Sequence, residues 1–99
     1  MSAASPEVVP EIDVKDKPKS DLDPGFVVIC WNDPVNLIEY VTHVFQQVFA
    51  WPRAKAEHHT MEVHHKGKST LVQTSLEKAE HYVHQLHGYG LHATMERPQ

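Results

Sequence analysis

The amino-acid sequence predicts an α+β domain in which a small sheet carries helices on one face, in the order β-α-α-β-α-β behind an N-terminal tail. Three observations carry this expectation. Residues 26–31, FVVICW, form a short apolar run rich in β-branched side chains, which reads as a buried strand. Two later stretches repeat apolar residues at helical spacing, and a further helix between them is read from Pro52 as its opener and Gly67 as its stop. Two shorter stretches, residues 69–73 and 91–95, read as strands separated from the first by unequal connections. The chain has 99 residues, which suits one small domain and a tail.

Residues 1–24 read as a disordered extension, and residues 25–99 as the core domain. Pro6, Pro10, Pro18 and Pro24 interrupt any helix in the extension. Six acids (Glu7, Glu11, Asp13, Asp16, Asp21 and Asp23) face three lysines there, and few large apolar side chains offset the entropy of ordering. After the first strand, Asn36 offers an N-cap with Glu39 as its capping-box partner. Leu37, Val41, Val44 and Val48, with Ile38, Phe45 and Phe49, give the first helix its stripe, and the helix ends near Ala50. Pro52 can open a second helix at its first position, running to about residue 65, with Gly67 as its stop. Residues 74–77, TSLE, read as a second capping box. Leu76, Ala79, Val83 and Leu86 then form the third helix stripe, and Gly88 ends it. Leu91, Ala93 and Met95 alternate inward on the last strand.

Composition excludes several classes of function. A formal charge of −4 gives no basic footprint for nucleic acid. No apolar stretch approaches the roughly 20 residues of a membrane span. The N-terminus lacks the apolar core of a signal peptide. The single cysteine, Cys30, cannot form an internal disulfide and sits in an apolar run, which fits a cytoplasmic location and a buried, inert thiol. Nine histidines are many for this length. His81, His84 and His87 lie off the apolar stripe of the third helix and point to solvent. His58-His59 and His64-His65 lack the HExxH spacing of a zinc hydrolase. No activated nucleophile and no phosphate-cradling glycine loop is present, so neither catalysis nor a metal or other cofactor is expected.

What remains is a group of polar side chains beside apolar walls. Asn32 and Asp33 stand where the first strand ends. His64 lies near the end of the second helix with Thr60 and Val63, and Ile38 and Val41 open the first helix. Singly, Asn32 reads equally as a turn former, Asp33 as a helix-dipole partner and His64 as a helix-end cation. Together, Asn32-Asp33, Ile38-Glu39-Tyr40-Val41 and Val63-His64-His65-Lys66-Gly67-Lys68 resemble the ClpS family, adaptors of the bacterial Clp protease. The family pattern is Asn-Asp-Asp-x-Thr-Pro-Met-Glu-Phe-Val followed by Val-His-x-x-Gly-Lys, and the likeness covers residues 26–96.

The resemblance implies a βααβαβ two-layer sandwich, with a three-stranded antiparallel sheet packed against three helices. It implies a pocket for the first residue of proteins that begin with Leu, Phe, Tyr or Trp. A Clp AAA+ unfoldase of the ClpA or ClpC type would receive those proteins, and the adaptor, a monomer, would cleave nothing. On this basis Asn32, Asp33 and His64 hold the substrate's N-terminus, and Asn36, Ile38, Val41, Thr60, Val63 and Leu91 line the side-chain pocket. Glu77 matches a family contact to the unfoldase, while Tyr82 stands where the family has a lysine. Pro34 replaces the family's second acid, Ile38 its gatekeeper methionine, and Thr60 a further pocket methionine. A wider slot favouring aromatic residues is expected. The same helix-over-sheet layout also resembles the carboxy-terminal domain of a ribosomal stalk protein, a non-enzymatic interaction module.

Overall fold

A computed structural model describes residues 13–14 and 23–98. Its elements are β1 (Asp13–Val14), β2 (Phe26–Trp31), α1 (Ile38–Phe49), α2 (Arg53–Lys66), β3 (Lys68–Thr74), α3 (Leu76–Gly88) and β4 (His92–Glu96). β2 is the middle strand of a three-stranded antiparallel sheet, with β3 on one side and β4 on the other. The architecture is the α+β sandwich expected from the sequence. The two-residue β1 adds to the outer edge of β3 in parallel, with Asp13 opposite Val72 and Val14 opposite Gln73. The sequence reading left this part of the extension unstructured. An edge strand presents unpaired backbone groups, and a short extended segment can satisfy them. The remainder of the extension, up to residue 22, lies outside the described residues.

The central position of β2 explains its unbroken apolar run. Val28 and Cys30 join the core under the helices, and Val27 and Ile29, which alternate with them, are buried as well. β3 has a register shift against β2: Val28 pairs with Val72, but Ile29 pairs with Thr70. Leu71 is the extra residue of this β-bulge, which resets the alternation. Ser69 before it, Leu71 itself, and Val72 and Thr74 after it are therefore all buried. Above the sheet, α1 buries Val41, Thr42, Val44, Phe45 and Phe49. Phe49 stacks on Trp51 at 4.7 Å between ring centroids and meets Tyr82 of α3 at 4.9 Å. Phe45 meets Trp51 edge-on at 6.0 Å. These rings join α1, the α1–α2 connection and α3 into one core.

The helix starts differ from the sequence reading. Asn36 does not cap α1. Leu37 holds the cap position with an extended backbone (φ −76°, ψ 150°) and makes no side-chain cap bond. The Asn36 side chain is engaged in the preceding loop instead, and Glu39 pairs with Arg53 at 2.9 Å. Pro52 is the cap of α2 rather than its first residue, because its ψ of 156° is extended. Ser75, not Thr74, caps α3 by accepting the Lys78 N–H at 3.3 Å. Thr74 is the buried last residue of β3, and its hydroxyl has no hydrogen-bond partner among the described residues. Leu91 is buried, as expected, but directly precedes β4.

α1 ends on Ala50, whose φ of 58° is left-handed and whose N–H donates to Gln46 O at 2.9 Å. An L-residue there costs about 1–2 kcal/mol relative to the right-handed conformation, while glycine accepts it freely. Ala50 is exposed, so its methyl contributes little packing. Ala50→Gly is therefore expected to raise stability by about 0.5–1 kcal/mol, because greater chain freedom in the unfolded state offsets part of the relief. The urea unfolding midpoint, measured at unchanged slope, checks this.

Candidate functional site

The end of β2 and the end of α2 meet at one backbone bond. Asn32 N–H donates to Gly67 O at 2.9 Å, and Gly67 N–H closes α2 onto Val63 O at 3.0 Å. Gly67 is left-handed at φ 91°. This knot sets Asn32, the first residue after the strand, beside the last turns of α2. There Thr60, Val63 and His64 occupy positions i, i+3 and i+4 of one helix face. The opposite wall is the start of α1, where Ile38 and Val41 are one turn apart.

Between them lies a pocket with about 340 Å3 of open space, solvent at its mouth included. Asn32, Asp33, Asn36 and His64 line it together with Ile38, Val41, Thr60, Val63 and Leu91. All the residues expected to hold a chain terminus and its side chain thus reach one cavity. Exposure is graded across it. Asn32 and His64 are exposed at the rim, whereas Val41, Thr60, Val63 and Leu91 are buried. The chemistry is polar acceptors outside and an apolar slot inside.

The loop between β2 and α1 is held by its own side chains. Asp33 Oδ1 accepts the Val35 N–H at 2.7 Å, an Asx turn. The Asn36 amide nitrogen donates to Gly90 O at 3.1 Å and to Asp33 Oδ2 at 3.4 Å. The Tyr40 hydroxyl donates to Tyr89 O at 2.6 Å. These bonds tie the loop to the turn that delivers Leu91 to the pocket. Across the slot, the Thr42 hydroxyl lies 3.0 Å from both Ile38 O and Thr60 Oγ1. Thr60 donates to Ala56 O at 2.8 Å. A pair of buried hydroxyls therefore bridges α1 and α2 directly behind the pocket.

Sequence reasoning missed two parts of this region. Cys30 and Trp31 also line the pocket, through their position immediately before Asn32. The Cys30 thiol is pushed up to about 12, first by burial and then by the charge of Asp33, so it stays protonated and inert. The second omission is His59, which is 2% exposed and stacks on Trp51 at 4.6 Å. Ser69 Oγ donates to Glu62 Oε1 at 2.6 Å, so its one proton is committed and His59 Nδ1, at 2.7 Å, is the donor to it. The available signal was spacing: Ala56, His59, Thr60 and Val63 fall on one face, which puts a histidine in a core position. Burial works to raise the Glu62 carboxyl, but the Ser69 hydroxyl and the charges of His59, His58 and Lys66 outweigh it and hold it below its ordinary value.

α3 contributes no lining residue to the pocket. Glu77 is exposed in its first turn, while Tyr82 is half-buried against Phe49 and belongs partly to the core. His81, His84 and His87 are exposed. Among the described residues no three His, Cys, Asp or Glu side chains are placed to share a metal ion. Among the same residues no helix is long and apolar enough to cross a membrane.

Comparison with known proteins meets this geometry. Residues 21–94 match the family model for the ATP-dependent Clp protease adaptor protein ClpS. The chain belongs to the ClpS family. It is 42% identical over 95 residues to the ClpS adapter protein of Rhodococcus opacus, covering 95% of this chain and 84% of the relative. To that of Nocardia farcinica it is 45% identical over 75 residues, 76% of this chain and 71% of the relative. Among solved structures, Agrobacterium tumefaciens ClpS2 bound to L-phenylalaninamide matches with a TM-score of 0.69 at 24% identity, covering 76% of this chain and 99% of that one. That match shares the ClpS fold with this chain.

The Ser69 network gives a test of how α2 is held. Ser69→Ala removes the hydroxyl that Glu62 and His59 share and is expected to cost about 1–2 kcal/mol at pH 7. A carboxyl lowered in the folded state stabilises above its unfolded range and loses that contribution as pH falls through its folded value. The difference between wild type and variant in urea unfolding should therefore shrink below the carboxylate range.

Proposed function

We propose that the pocket holds the first residue of proteins with a bulky apolar N-terminus, and that the chain delivers them to a Clp AAA+ unfoldase as a non-catalytic, cytoplasmic, monomeric adaptor. The observation that carries this reading is the gathering of Asn32, Asp33 and His64 at the rim of a slot walled by Ile38, Val41, Val63 and Leu91. The stalk-domain alternative uses a helix face and expects no such concave site. The ClpS2 relative, with L-phenylalaninamide as its ligand, supports the same direction, since that molecule presents a free α-amine beside a benzyl group.

The chemistry follows from the parts. An α-amine, with an ordinary pKa of about 7.7–8.0, is mostly charged near neutrality and carries three N–H donors. Asn32 offers a carboxamide oxygen, and His64 a ring nitrogen that accepts only in the neutral imidazole. Asp33 adds negative charge at the rim. Each hydrogen bond to the charged amine contributes about 1.5–3 kcal/mol. Burying one large apolar side chain contributes roughly 1.5–3 kcal/mol more. Association entropy opposes these terms, which leaves affinity on the order of micromolar, suited to a ligand that must be passed on. Thr60 widens the slot relative to a methionine, so Phe, Tyr and Trp are the favoured first residues and Leu the weaker one. The unfoldase meets the α3 side through Glu77, and Tyr82 contributes an aromatic edge there.

Peptides that begin with Phe should bind, and acetylation of their α-amine should abolish binding in a fluorescence-polarisation titration; equal affinities would end the proposal. His64→Ala should weaken binding by about 2 kcal/mol, roughly thirtyfold, while the circular dichroism spectrum is kept.

A further inference from the structure

We propose that Asn36 supplies the third acceptor for the bound α-ammonium through its side-chain carbonyl oxygen. The inference rests on the N-terminus-binding reading and deepens it. A protonated α-amine presents three N–H donors, while Asn32 and His64 provide two acceptors. A charged donor left without a partner forfeits a contact of the stronger class.

Asn36 lines the same pocket and is half-buried in its wall. The orientation of its amide follows from its neighbours. Its nitrogen stands 3.1 Å from Gly90 O and 3.4 Å from Asp33 Oδ2. A carbonyl and a carboxylate are acceptors only. Turning the amide over would set oxygen against oxygen at both contacts, so the nitrogen belongs on that side. Both N–H groups are then committed to the loop and the turn, and planarity leaves Oδ1 on the other side of the carboxamide. Among the described residues, Asn36 hydrogen-bonds only through its nitrogen, and Oδ1 accepts nothing.

Asp33 is placed differently. Its Oδ1 accepts the Val35 N–H at 2.7 Å and its Oδ2 receives the Asn36 amide. Its charge attracts the ammonium, while its oxygens hold the loop and orient Asn36. Asn36 is thus the direct contact and Asp33 the positioning residue. Because Asn36 also bonds Gly90 O, one residue before Leu91, it couples the amine end of the site to the apolar slot.

The test compares two ligands: a Phe-initiated peptide, and the same peptide with its α-ammonium replaced by a hydroxyl. Both are titrated by competition against a fluorescent Phe-initiated peptide on the full chain, on Asn36→Leu and on Asn36→Gln. Wild type should prefer the amine. Asn36→Leu keeps the volume without an acceptor and should reduce that preference by at least about tenfold. Asn36→Gln keeps both the amide donor and a neutral carbonyl acceptor, one methylene farther out, and should retain more of the preference than Asn36→Leu. If Asn36→Leu weakens both ligands equally, Asn36 only supports the loop and the proposal is overturned. Absence of any amine preference in wild type would instead remove the parent reading.

Discussion

The site depends on one backbone hydrogen bond, from Asn32 N–H to Gly67 O. It joins the end of the central strand to the stop of α2, segments 35 positions apart in the chain. It continues the β2–β3 ladder one residue past the Trp31–Lys68 pair and so brings a carboxamide after β2 to the helix turn that carries His64. The glycine is required for conformation rather than for space. At φ 91° its N–H turns back to Val63 O while its carbonyl faces Asn32, and a Cβ built there would meet no atom within 4 Å. A side chain would fit at Gly67, but an L-residue would resist the left-handed backbone.

From that knot the rest of the pocket is fixed by rigid elements. α2 is anchored twice, at Gly67 and again by the His59–Ser69–Glu62 bonds to β3. The β-bulge at Leu71 resets the β3 alternation, so residues on both sides of it face inward, and Ser69 before it reaches His59. α1 is set against α2 by the Thr42–Thr60 hydroxyl pair and by the Phe45, Phe49 and Trp51 rings. Both walls of the slot are therefore helices locked in the core. A preformed slot loses less ordering entropy on binding, which matters where only a few contacts contribute.

Much of this was legible in the sequence, for identifiable reasons. The strand at residues 26–31 is apolar on both faces because it is central, and the helix stripes follow from burial against one sheet face. Gly67 was readable as a stop because helices commonly end in the left-handed region. The failures lie where a side chain had two uses. Asn36 has the residue type of an N-cap, yet tertiary bonds to Asp33 and Gly90 claim it, and Gly90 is 54 positions away. Thr74 reads as a cap but is claimed by the sheet, leaving Ser75 to do it. His59 reads only as one of nine histidines without zinc-hydrolase spacing, and its place on the buried face of α2 is what distinguishes it. The pairing of Asp13–Val14 depends on an open sheet edge that no local pattern announces.

On the proposed reading, the division between rim and slot also explains how a site of this size would read a chain end rather than a residue type. Burying one aromatic side chain is worth roughly 1.5–3 kcal/mol, less than the cost of association, so the slot alone would hold nothing firmly. The same aromatic residue inside a chain offers one neutral amide N–H in place of an ammonium and carries a preceding carbonyl toward Asn32 and Asp33. It would leave acceptors desolvated and unmatched, and such mismatches discriminate far more strongly than a change in apolar contact. On the proposed reading, selectivity for the terminus resides in the polar rim, and preference among first residues in the walls. The two meet on α2, where rim His64 follows wall Val63, whereas the rim on the strand end and its loop is separate from the wall on α1.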